Sequence, residues 1–175
     1  MPSTTPTATA AGIAPAGSAA AAAPELRLRL AEGAVAPVRA HADDAGLDLS
    51  SAEDLTIAPG GRALVDTGLA VALPPGTVGL VCPRSGLASR HGVTVLNGPG
   101  VVDAGYRGPI KVALHNTDLT EPFALRRGDR IAQLVVVPFL APVLRTVEEL
   151  DDTERAASGF GSSGGFGPAA NGEVA

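Results

Sequence analysis

An all-β domain is what this sequence predicts, on three observations. Glycine (22) and proline (15) are abundant across 175 residues, a composition of turns rather than of long helices. The apolar residues fall in short runs bounded by those turn formers, and several runs alternate with period two. Hydrophobic residues make up 45% of the chain but aromatics only 3%, so the predicted core is Val, Leu, Ile and Ala. The length suits one domain of ordinary size plus tails. No internal repeat suggests a solenoid or propeller.

Residues 1–24 are Ala, Thr, Pro, Ser and Gly almost throughout and predict a disordered extension. The β domain is expected over 25–147. Leu26-Arg27-Leu28-Arg29-Leu30 alternates, placing leucines on one sheet face and arginines on the other. In Ala45 to Ser51, Leu47 and Leu49 flank Asp48, which points off the apolar side as a solvated carboxylate or a salt-bridge partner of an arginine. Pro59-Gly60-Gly61 is a turn. Ala63 to Leu73 reads as a long apolar strand region interrupted by Asp66 and Gly68, and Thr77 to Cys82 as a strand stopped by Pro83.

Pro83 to Gly92 predicts a short helix with Ser85 at the N-cap and Gly92 closing it. Arg84 and Ser85 beside a helix N-terminus make an anion site, or simply a capping serine with a surface arginine. The stretch Leu96 to Asn116 reads as a hairpin reversing at Ala104-Gly105. It would gather Asn97 for hydrogen bonds, Asp103 for proton chemistry and Tyr106 for a packing face, a pocket suited to a flat polar ring. Beyond it, Phe123 to Leu125 is a short strand, Arg126 to Arg130 a charged turn, and Ile131 to Val137 an apolar strand. Gln133 is the polar exception in that strand, either satisfied in the core or presented to a ligand. Val143 to Val147 closes the β body. From 148 to 175 an acidic run and then a Gly/Ser-rich stretch predict a flexible arm. Arg155 and Phe160 within it could strap phosphates and a ring.

Several function classes are disfavoured. The net charge of −5 argues against a nucleic-acid-coating surface. Cys82 is the single cysteine, so neither a disulfide framework nor a cysteine-based zinc site is expected. No stretch approaches a membrane span, and no Lys or Arg precedes Arg27 to make a signal-peptide n-region, so a cytoplasmic protein is expected.

Five stretches, AGLDLSS (45–51), PRSGLASRHG (83–92), NGPGVVDAGYRG (97–108), RGDRIAQ (127–133) and RAASGFGSSGG (155–165), resemble in order the five motifs of the trimeric dUTP pyrophosphatases (dUTPases). Each alone is weak; their order and spacing carry the resemblance, which covers roughly residues 26–165. It implies a distorted jelly-roll-like β-barrel subunit with one short helix and a homotrimer with active sites shared between subunits. The implied reaction is Mg2+-aided hydrolysis of dUTP to dUMP and pyrophosphate, supplying dUMP for thymidylate synthesis and keeping uracil out of DNA. By the resemblance, Asp103 activates the water that attacks the α-phosphorus, and Tyr106 lies under the deoxyribose and excludes a 2′-hydroxyl. Asn97 reads the uracil edge, Arg84, Ser85 and Gly86 form a phosphate-binding turn, and Gln133 sits near the α-phosphate. Asp48 supports the metal and phosphate site without ligating the metal, and Lys111 counts among the substrate-binding residues. Arg155, Phe160, Gly161 and Ser162 belong to the C-terminal strap. No residue is implied as a direct metal ligand; the triphosphate and water hold the ion. Ala156 and Ser158 stand where the family's strap usually has glycines.

Two other readings share the fold. A dCTP deaminase of this type carries a glutamate three residues before the asparagine that is Asn116 here, and that position is Ala113, which cannot shuttle protons. A non-catalytic nucleotide-binding or regulatory trimer would not require the water-activating carboxylate of Asp103. A zinc deaminase lacks its paired cysteines.

Overall fold

The structure, a computed structural model, describes residues 24–153. The expected disorder of 1–24 falls outside them apart from Pro24, as does the strap. The chain divides into one unit up to Leu140 and a second from Ala141. Among the described residues the first unit holds eleven short strands and one helix.

All the ladders are antiparallel, and they form four sheets: β1 (Arg27–Leu30) with β5 (Leu69–Ala72), β3 (Leu55–Ile57) with β10 (Phe123–Leu125), and two larger ones. The four-stranded sheet runs β2 (Gly46–Ser50), β11 (Arg130–Pro138), β6 (Thr77–Cys82), β8 (Gly100–Val102). The three-stranded sheet runs β4 (Arg62–Asp66), β9 (Lys111–Asn116), β7 (Val93–Val95). The mostly-β expectation holds, but these ladders do not close into the expected barrel. The core is aliphatic, with Leu49, Val65, Leu114, Ile131 and Leu134 at most 1% exposed.

Four expectations need correction. The stretch Leu96 to Asn116 is not a hairpin. The turn is there, with the Tyr106 N–H donating to the Asp103 carbonyl at 3.0 Å, but β8 pairs with β6 and β9 pairs with β4 and β7. Both edges of β9 are filled, so β8 has no edge on which to fold back. The apolar region Ala63 to Leu73 is likewise two strands in two sheets, parted at Gly68, whose φ of 65° is left-handed.

Ser85 is not the N-cap. Arg84 occupies that position in extended conformation (φ −99°, ψ 126°) with no side-chain cap bond, and Ser85 is the first residue of α1 (Ser85–His91). Gly92 does close the helix, at φ 61°. Finally, Val143 to Val147 forms no strand. Within the second unit Val143 is 96% and Leu144 92% exposed, and among the described residues no strand pairs with them, so β propensity has no ladder to act on.

The alternation at 26–30 is only partly used: Leu26 packs against the core, whereas Leu28 and Leu30 stay exposed on an edge ribbon. Strands β3 and β7, three residues each, were not anticipated.

Candidate active site

Two cavities gather the candidate residues. The first, about 310 Å³, is lined by Asn97, Asp103, Tyr106 and Lys111 together with Val81, Gly100 and Ile110. Strand β8 and the start of β9 supply its frame, and the turn after β8 supplies its chemistry. The Asp103 carboxylate is exposed and takes no hydrogen bond from the described residues, leaving its lone pairs free for water. Asn97 lies over Gly100, where a Cβ would come within 3.3 Å of its Nδ2. Lys111 also faces Asp66, its cross-strand partner, at 3.7 Å.

Tyr106 is held from both ends. Its hydroxyl donates to the Pro109 carbonyl at 3.0 Å, and its N–H closes the turn onto Asp103. Arg107 braces the same turn, its Nη1 donating to the Ala104 carbonyl at 2.6 Å and the Tyr106 carbonyl at 2.7 Å. Sequence reading passed over Arg107. Its signal was a cation directly after the turn, within reach of the carbonyls a reversal leaves unpaired.

The second cavity, about 410 Å³, is lined by Asp48, Arg84 and Gln133 with Asp44, Gly46 and Val135. The salt-bridge reading of Asp48 is what the structure gives. Arg84 Nε donates to Asp48 Oδ1 at 2.9 Å and Arg130 Nη1 to Oδ2 at 3.0 Å. The Asp48 side chain is only 12% exposed, so both its oxygens are occupied in a sheltered place. Arg84 Nη1 adds a bond to the Arg130 carbonyl at 3.3 Å. Gln133 sits on β11 between β2 and β6, opposite Asp48 on one side and Cys82 on the other. Its Nε2 donates to the Pro83 carbonyl at 2.9 Å, pinning the chain one residue before Arg84.

Arg130 is a second residue the sequence reading did not single out; it lay inside a motif but looked like turn solvation. Ser85 and Gly86 line neither of these cavities. Gly86 lies under Arg90, whose Nε donates to its carbonyl at 3.3 Å. Arg155, Phe160, Gly161 and Ser162 lie outside the described residues. Thus Asn97, Asp103, Tyr106 and Lys111 come together, as do Asp48, Arg84 and Gln133, and the two sets occupy different cavities. Among the described residues no group of three or more His, Cys, Asp or Glu could hold a metal ion, and no helix is long and apolar enough to cross a membrane.

The family profile of the dUTPases matches residues 32–164. The deoxyuridine 5'-triphosphate nucleotidohydrolase of Rhodococcus erythropolis is 60% identical over 129 residues, 74% of this chain and 79% of its own length. That of Nocardia farcinica is 59% identical over 137 residues, 78% of this chain and 83% of its own. Among solved structures, the dUTPase of Staphylococcus bacteriophage 80alpha with dUPNHPP superposes with a TM-score of 0.74 at 34% identity, covering 80% of this chain and 98% of that one. A mutant dUTPase from phage phi11 of S. aureus, described for its coordination of a structural Mg(II) ion, gives 0.68 at 32% identity over 72% of this chain and 98% of its own. With a profile spanning most of its length and relatives near 60% identical, this chain belongs to the dUTPase family.

Proposed function

We propose that the chain is a dUTP diphosphatase that cleaves dUTP to dUMP and pyrophosphate, with Asp103 as the base for the attacking water. The observation that carries this reading is the first cavity: one carboxylate unbonded within the described residues, one amide, one aromatic ring and one lysine converge on about 310 Å³. An exposed carboxylate with no competing partner can orient a water and take its proton as oxygen attacks the α-phosphorus. Asn97 and neighbouring backbone groups read the uracil edge. Tyr106 packs under the deoxyribose, where a 2′-hydroxyl would clash.

Phosphoryl transfer depends mainly on placed positive charge, which is the part of Arg84, with Ser85 and Gly86 beside it and Gln133 behind it. Asp48 orients Arg84 rather than meeting substrate. Because the Asp48 oxygens already serve two guanidiniums, the donor set fits Mg2+ held by triphosphate oxygens and water, not by a carboxylate cage. Bound in that way the ion would neutralise phosphate charge.

The separation of the two cavities on one chain supports active sites shared between subunits of a homotrimer. So do the apolar side chains left exposed on the first unit, Leu64 at 63% and Val101 at 66%. We read the four antiparallel sheets as a jelly-roll-like subunit working in the cytoplasm. Residues 1–24 act as an extension outside the catalytic body, and 148–175 as an arm that brings Arg155, Phe160, Gly161 and Ser162 over the γ-phosphate and the base. A nucleotide panel of dUTP, dTTP, dCTP and UTP, assayed for pyrophosphate with Mg2+, tests the reading. Release confined to dUTP is expected; none from dUTP, or equal release from all four, would overturn it.

A further inference from the structure

Gly108 is a glycine that its own backbone does not require. The described glycines with left-handed φ are Gly33, Gly60, Gly68, Gly76, Gly92 and Gly128; Gly108 is not among them. Its demand is one of space. A Cβ built on Gly108 would meet the Tyr106 hydroxyl, with Cζ at 2.6 Å and Cε2 at 3.0 Å, inside the ~3.5–4.0 Å at which carbon atoms pack. The Tyr106 ring is folded back over the bare backbone of Gly108, with its hydroxyl on the Pro109 carbonyl. This is not core packing. Tyr106 is 46% exposed and lines the cavity it shares with Asn97 and Asp103.

We propose that Gly108 is a specificity-determining positioning residue: its bare backbone is the floor that fixes the Tyr106 ring, and thereby the room left at the C2′ of the sugar. The proposal rests on the reading of Tyr106 as the sugar-face ring. A methyl on Gly108 displaces the ring rather than the sheet, because the ring turns about χ1 and has open solvent beside it. In leaving the floor the ring gives up the Pro109 bond and swings outward. Deoxyribose then loses its packing face, and a 2′-hydroxyl meets less obstruction.

The test uses the full chain. Values of kcat/KM for dUTP and UTP are measured for the wild type, Gly108→Ala, Tyr106→Ala and the double variant. Gly108→Ala is expected to lower the dUTP-over-UTP ratio by about 10-fold, the scale of a small misplacement at a reacting centre. Added to Tyr106→Ala it should change the ratio no further, because it acts through that ring. Tyr106 is the single tyrosine and the chain has no tryptophan, so tyrosine emission reports this ring alone. Its quenching by a non-hydrolysable dUTP analogue should weaken in Gly108→Ala.

A wild-type ratio together with wild-type quenching in Gly108→Ala would overturn the proposal, as would an undiminished drop when it is added to Tyr106→Ala. An unchanged ratio in Tyr106→Ala itself would instead remove the sugar-face reading. The quenching comparison then decides whether Gly108 positions the ring at all. If Gly108→Ala fails to fold, Tyr106→Phe, which loses only the Pro109 bond, should lower the ratio by about 2–3-fold, the effect of one exposed hydrogen bond. An unchanged ratio there would also sink the idea.

Discussion

The two connections that flank β9 each contain an aspartate, and they treat it in opposite ways. Before β9, Asp103 opens a turn closed by a single backbone bond, and its carboxylate is exposed and unbonded within the described residues. After β9, the Asp118 Oδ1 accepts from the N–H of Thr120 at 2.8 Å, the N–H of Glu121 at 2.9 Å and the Thr120 hydroxyl at 3.1 Å. The loop around Asp118 is tied down further by Asn116, fully buried, whose Nδ2 donates to the carbonyls of Ile57, Ala58 and Glu121 and whose Oδ1 accepts from Asp118. A carboxylate with one oxygen answered three times by its own chain is a structural element. One left unanswered beside a cavity is available to chemistry. Bonding state, more than residue type, separates the two.

That contrast is broken most sharply at Asp103. Asp103→Asn should lower kcat by at least ~100-fold, about 2.7 kcal/mol of barrier. Nucleotide affinity and thermal midpoint should stay near wild type, because nothing in the fold depends on that carboxylate. Steady-state pyrophosphate release beside a thermal melt checks both halves, and near-normal turnover would remove the catalytic assignment. Asn116→Ala should do the reverse. It strands buried carbonyls and should destabilise the domain by about 2 kcal/mol, while kcat per folded molecule stays within a few-fold. Urea unfolding followed by activity at a temperature well below the transition distinguishes the outcomes.

The sequence made the open side of this contrast legible and hid the closed side. Asp103, Asn97 and Tyr106 stood out because polar groups on a glycine-punctuated turn between apolar runs have few structural uses. β6 and β10 were read at their observed bounds because proline and polar turns delimit them. What failed was partnership. A turn at Ala104-Gly105 is local and visible, but which edge β8 joins depends on β9 already having two neighbours. The Val143 to Val147 strand failed likewise, its propensity being real and its ladder absent. Arg107 and Arg130 escaped notice because an arginine's partners, two turn carbonyls in one case and Asp48 across β2 in the other, are tertiary facts.

Asp48 lies between the two extremes, sheltered like a structural group yet bonded to side chains rather than backbone. Asp48→Asn should lower kcat/KM for dUTP by about 10-fold, or 1.4 kcal/mol, by loosening Arg84 while leaving Asp103 intact. The effect should shrink as ionic strength rises, since the Arg130 side of the cluster is half exposed and screened. A kcat/KM loss that is the same at all salt concentrations would mean that Asp48 meets substrate directly.

The smallest effect belongs to Asp118, and there the sign can be fixed in advance. The N–H of Glu121, then the N–H and hydroxyl of Thr120, stabilise the charged form and hold its pKa below the ordinary aspartate value. A depressed folded-state pKa means that the unfolded chain binds the proton more readily. The contribution to stability is therefore fully present above the unfolded-state pKa and is lost as pH falls through the folded-state one. Asp118→Asn keeps an acceptor oxygen but no charge, so the wild type should melt slightly higher at neutral pH. The difference should vanish once the medium is acid enough to protonate the native carboxylate. Paired melts of the wild type and Asp118→Asn from neutral pH to below the carboxylate range read this directly. A difference for Asp118→Asn that stays flat across that range would mean that the three bonds to its carboxylate do not favour the charged form, and the closed side of the contrast between the two loops would fall.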